Sequence, residues 1–65
     1  MRVLINGVAH ELADGATVSE AIAAVAIAPP FAVAVNLQFV PKSQYKSTPL
    51  SSGDSIEMVS PVTGG

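Results

Sequence analysis

A single histidine, five scattered carboxylates and a closing glycine pair, Gly64-Gly65, are the groups through which this 65-residue chain could do chemistry. There is no cysteine, which removes thiol nucleophiles, thiolate metal ligands and disulfides together. Acid–base or nucleophilic catalysis needs several titratable groups gathered in one pocket. Here His10, Glu11, Asp14, Glu20, Asp54 and Glu57 are spread over turns and short alternating runs. Asp14 and Asp54 each adjoin a glycine, and turn formation accounts for both. No His or carboxylate cluster has metal-ligand spacing. His10, alone on a short strand near a sheet edge, reads as a partly exposed surface residue. The sequence predicts no catalytic residue and no metal site.

The glycine pair is the remaining feature. Glycine lacks Cβ and loses more backbone freedom on ordering than any other residue, so a terminal pair adds almost nothing to a fold. It does allow passage through a narrow channel. Four residues follow Pro61, and at about 3.3–3.6 Å each an extended strand would carry the terminal carboxylate roughly 13 Å from the domain. A carboxylate resists nucleophiles until it is activated, for instance as an acyl adenylate. A sulfur nucleophile displacing AMP would then leave a terminal thiocarboxylate. With no cysteine present, any sulfur carried would ride on that end. Two readings stand on the dipeptide alone: an idle end, or a working acyl terminus.

The elements that would support such a terminus can be read in order. MRVLING alternates up to Asn6-Gly7, the dipeptide best suited to a type I′ turn, and VAHEL returns. A two-residue turn sets Ile5 opposite Val8, Val3 opposite His10 and Met1 opposite Leu12. In DGATVSEAIAAVAIAPP, Thr17 and Glu20 are spaced as a capping box. Val18, Ala21, Ile22 and Val25 recur at helical spacing, and Pro29-Pro30 is expected to close the helix. FAVAV is β-branched and alternating, with Phe31, Val33 and Val35 on one face, and reads as a central strand. A turn at Asn36 leads to a short strand around Phe39 and Val40 that Pro41 ends or pushes to an edge. KSQYKSTPLSSGD is polar and irregular, with Leu50 its core anchor. SIEMV is the last strand, with Ile56 and Met58 on one face, and Pro61 leads the chain off the sheet. The resulting β, β, α, β, β, β order predicts an α+β domain over residues 1–61, one helix packed across one sheet face, the other face open, and a tail over residues 62–65.

A chain this short supports one domain with a small core. The formal charge of −2, with only Arg2, Lys42 and Lys46 basic, argues against a nucleic-acid surface. No apolar run approaches the roughly 20 residues of a membrane span, and the opening residues lack the pattern of a signal peptide. These features predict a soluble, cytoplasmic protein. Lys42 and Lys46 flank Tyr45 in the irregular segment, where solvated loop charges are the plainer reading and a partner contact the sharper one.

The opening VLING followed by L-x-DG-x-TV, the central AVAVN, FVP-x-SQY, and GD-x-IE-x-V-x-PV-x-GG together resemble the sulfur carrier proteins of thiamine biosynthesis, the ThiS family. The likeness covers essentially the whole chain. It implies the ubiquitin-like β-grasp fold, with a mixed sheet of four to five strands and one helix. It also implies a protein substrate rather than an enzyme. A ThiF-like adenylyltransferase, using ATP and magnesium that this chain does not itself bind, would activate Gly65. Sulfur from a persulfide protein would convert Gly65 to a thiocarboxylate, and a ThiG-like thiazole synthase would take up that sulfur. Gly64 would be the threading residue. The family's partner surface is an open sheet face beside the tail, which makes Leu4, Phe39 and Val59 the candidate interface residues. One departure lies at Asn36-Leu37, where many relatives have Asn-Gly; leucine is penalised at positive φ, so a longer turn or another turn type is expected. The alternatives are the related molybdopterin sulfur carriers, which tend to be longer with an added charged segment after the first strand, and a ubiquitin-like binding module without acyl activation.

Overall fold

The computed structural model describes residues 1–60, so Gly64, Gly65 and the expected departure at Pro61 lie outside the described residues. The elements are β1 (Arg2–Ile5), β2 (Val8–Glu11), α1 (Val18–Val25), β3 (Ala32–Val35), β4 (Gln38–Val40), a 3-10 turn at Lys42–Gln44, and β5 (Ser55–Val59). The five strands form one mixed sheet in the order β2-β1-β5-β3-β4. β5, the last strand in sequence, is central: it runs parallel to β1 and antiparallel to β3. FAVAV is therefore an interior strand one place from the centre, and β4 is an edge strand that stops before Pro41. This is the ubiquitin-like β-grasp arrangement.

Alternation places Val3, Ile5, Val33, Ile56 and Met58 on the face under α1, where all are buried. Val18 and Ala21 are the buried residues of the helix, and Ile22 and Val25 pack against the same cluster at its border. Leu50 is buried as expected, and Val40 joins it. No polar or charged side chain is buried among the described residues. Stability therefore rests on aliphatic packing.

The first hairpin has the expected register, Val3 opposite His10 and Ile5 opposite Val8, around Asn6 at φ 51° and Gly7 at φ 81°. The second hairpin departs from expectation. Val35 pairs with Gln38, so the connection is only two residues long, with Asn36 at φ 49° and Leu37 at φ 70°. Leucine is held in the left-handed region because the pairing of Val33 with Val40 and the anchoring of Asn36 leave no slack for a longer loop. The Asn36 carboxamide donates to Asp54 Oδ1 at 3.0 Å and accepts from the Ser55 N–H at 2.9 Å.

Two helix expectations are corrected. Thr17 is the N-cap residue, but its side chain makes no cap hydrogen bond. The first-turn amides are satisfied by the long loop instead, with Val18 N–H donating to Thr48 O and Ser19 N–H to Tyr45 O, both at 3.0 Å. Loop carbonyls thus satisfy the first two helix amides, while the Glu20 N–H, the amide a capping box would serve, donates to the Thr17 carbonyl at 3.0 Å. At the other end the helix stops at Val25, before the proline pair, with Ala26 in the left-handed conformation and its N–H donating to Ile22 O. Pro29-Pro30, joined by a cis peptide bond, belongs to the following connection.

The loop over 41–54 is more ordered than its composition indicates. After the 3-10 turn, the Thr48 hydroxyl donates to Gln44 O at 2.8 Å, and Leu50 N–H donates to Ala16 O at 2.9 Å. Tyr45 stacks on Phe31, with ring centroids 6.1 Å apart and planes 10° apart. It therefore helps seal the core border rather than standing free between two lysines.

Candidate functional site

The face of the sheet away from α1 is set by the residues that alternate with the core. Leu4 on β1, Glu57 and Val59 on β5, Ala32 and Ala34 on β3, and Phe39 on β4 share it, as the pairings of Ala34 with Phe39 and Glu57 and of Ala32 with Val59 require. The small Ala32 and Ala34 leave a depression between taller neighbours. Phe39 and Val59 border it at 69% and 60% exposure. With Leu37, Ala32, Ala34 and Glu57 they line a shallow hollow of about 200 Å³. Desolvating exposed apolar surface of this kind is favourable when a partner covers it.

The three interface residues named from sequence thus share one face, but only two meet. Leu4, 40% exposed, lies beside Ser55 on the β1 side of the central strand, away from the hollow. Leu37 was not anticipated: it is 86% exposed and lines the hollow from the tip of the second hairpin. Its signal in the sequence is a leucine standing where a tight turn favours glycine.

Titratable groups do not converge. His10 is half-buried on edge strand β2, and among the described residues no three His, Asp or Glu side chains come close enough to hold a metal ion. Asp54 serves its turn, accepting from Ser51 N–H at 2.8 Å as well as from Asn36. Asp14 lies 3.2 Å from the Met1 amine, which also donates to Leu12 O at 2.6 Å. No helix among the described residues is long and apolar enough to cross a membrane.

β5 ends at Val59, so the chain leaves the sheet at its central strand, beside the hollow. The body thus pairs an apolar face with the root of the C-terminal segment.

Comparison with known proteins agrees with this layout. A crystal structure of the thiamine biosynthesis protein ThiS from Geobacter metallireducens superposes with a TM-score of 0.82 at 23% identity, covering 100% of both chains. A solution structure of a thiamine biosynthesis protein from the same organism gives a TM-score of 0.78 at 23% identity, covering 100% of this chain and 88% of that one. Those likenesses establish the fold. No curated protein matches the sequence. The sequence model of the ThiS family matches residues 3–65, nearly the whole chain and both terminal glycines. The chain belongs to the ThiS family.

Proposed function

We propose that the protein carries sulfur on Gly65 and serves as substrate for its partners' active sites. A ThiF-like adenylyltransferase joins the Gly65 carboxylate to the α-phosphorus of ATP, with magnesium, and pyrophosphate leaves. The outer sulfur of a protein persulfide displaces AMP to give an acyl disulfide between Gly65 and the donor. A partner thiol then attacks the donor's sulfur, releasing the Gly65 thiocarboxylate and leaving a disulfide on the partner side. A ThiG-like thiazole synthase takes that sulfur into the thiazole ring. Gly64 passes through the partner's narrow entrance because it has no side chain. ATP and magnesium belong to the partner, and this chain binds no cofactor of its own.

The observation that carries this reading is the extent of the family match, which runs through Gly64 and Gly65. The open face supports it. Phe39 and Val59 beside the root of the tail, with Leu4 across the central strand, give an adenylyltransferase an apolar surface to grip while the terminus enters its active site. Compartment follows from partners, and the cytoplasm, where ATP and persulfide sulfur are available, is the site of this chemistry.

Incubation with ATP, magnesium and a cognate adenylyltransferase tests the reading by intact mass. The expected product is an AMP adduct that vanishes when Gly65 is deleted or one residue is added after it. An adduct that persists after tail extension would refute the assignment. A thiocarboxylate accepted only by a molybdopterin-forming enzyme would redirect it to the related carriers.

A further inference from the structure

Asn6 and Asn36 occupy equivalent positions in the two tight turns, at φ 51° and 49°, and both direct their carboxamides at the central strand. They reach opposite ends of it. Asn36 holds the beginning, at Asp54 and Ser55. Asn6 holds the end: its Oδ1 accepts from the Met58 N–H at 2.9 Å and its Nδ2 donates to Met58 O at 3.2 Å.

The geometry has a simple cause. Parallel pairing between β1 and β5 finishes with Ile5 opposite Ile56, after which Asn6 N–H donates to Ile56 O at 2.9 Å and the backbone turns away. A longer β1 would offer Met58 a further peptide group. The Asn6 carboxamide, which has the same donor and acceptor as a peptide, supplies it instead. Met58 thereby keeps both backbone hydrogen bonds on the β1 side, one residue before the strand ends at Val59.

We infer that Asn6 is a positioning residue, fastening the final strand to the body at Met58 so that the residues beyond Val59 start from a fixed root. The inference rests on the reading of Gly65 as the activated group. A partner that grips the sheet face must find the terminus at a set distance and direction. Loosening the root dilutes the terminus over more positions without altering the gripping face. The effect therefore belongs in the rate of AMP transfer and not in docking.

Asn6→Gly removes the carboxamide and still permits positive φ. Asn36→Gly does the same at the far end of the strand and serves as the matched control for stability. At a temperature where all variants are folded, Asn6→Gly is expected to lower kcat for AMP transfer by about three- to tenfold with KM changed less than about twofold. Asn36→Gly should leave both constants near wild type. Asn6→Asp, which keeps an acceptor for the Met58 N–H, should recover part of the rate. Amide exchange at Met58 should accelerate in Asn6→Gly relative to Ile56, without any partner present. Equal kinetics for the two glycine variants, or unchanged exchange at Met58, overturns the inference. Wild-type protein that takes up no AMP would bring down the sulfur-carrier reading and the role of Asn6 with it, whereas a normal wild-type rate matched by Asn6→Gly overturns the Asn6 role alone.

Discussion

Replacing Leu37 with glycine should stabilise the protein while weakening the proposed interaction face. Leu37 sits at φ 70°, and the left-handed conformation costs a residue with a Cβ roughly 1–2 kcal/mol. Glycine removes that strain but gives the unfolded chain more freedom, an opposing term of about 0.4–1 kcal/mol. The side chain is 86% exposed, so its deletion forfeits only about 0.3 kcal/mol of burial at about 25 cal/mol per Å². The balance is a gain of about 0.5 kcal/mol, which in a domain of this size is roughly 2–4 °C in Tm. Leu37→Val should move the other way, because branching at Cβ worsens the clash at positive φ. Thermal unfolding of the three proteins followed by circular dichroism reads both signs. A Tm that falls in Leu37→Gly, or rises in Leu37→Val, would show that the turn is not strained and would refute this account of it. The second arm is binding: loss of a side chain that lines the hollow should weaken capture by the adenylyltransferase even as the domain becomes more stable.

Three further predictions address the core, the helix start and the open face. Ile56→Ala, at a fully buried position on the central strand, should cost about 2–5 kcal/mol in urea unfolding; a cost below about 1 kcal/mol would mean the core is organised differently. Thr17→Ala should cost less than about 0.5 kcal/mol, since the hydroxyl makes no cap bond, whereas a working cap would cost about 1 kcal/mol. Phe39→Ala combined with Val59→Ser should weaken adenylyltransferase binding by at least about tenfold in calorimetry, as expected for an exposed aromatic anchor, with the Tm shifted by only a few degrees; unaltered affinity would remove this face from the interface.

Much of the fold was legible because short-range rules dominate where they agree. Asn6-Gly7 permits the type I′ geometry, and that turn sets the register of the first hairpin. The alternation of SIEMV buries Ile56 and Met58 and turns Glu57 and Val59 outward. The open face followed from the same parity, whereas Leu4, Phe39 and Val59 were singled out on it by the family resemblance. The two-residue turn at Leu37, and with it the place of that side chain on the hollow, was misread because local sterics argue against a leucine at positive φ, and only the pairing of the flanking strands holds it there. Thr17 and Glu20 have the spacing of a capping box, yet the Glu20 N–H donates to the Thr17 carbonyl rather than to its hydroxyl, and the loop carbonyls of Thr48 and Tyr45 take the amides of Val18 and Ser19.

Composition and spacing by themselves determined the element order, the aliphatic core, the lack of a thiol and the glycine pair at the end of the chain, since each depends on residue type and near neighbours. Only the folded chain decided that β5 would lie at the centre of the sheet between β1 and β3. Hydrogen bonding between strands distant in sequence carries no local signature, because every peptide group offers the same donor and acceptor. The same long-range closure brings the Asn6 side chain to Met58, 52 residues away, joining one end of the molecule to the root of the other.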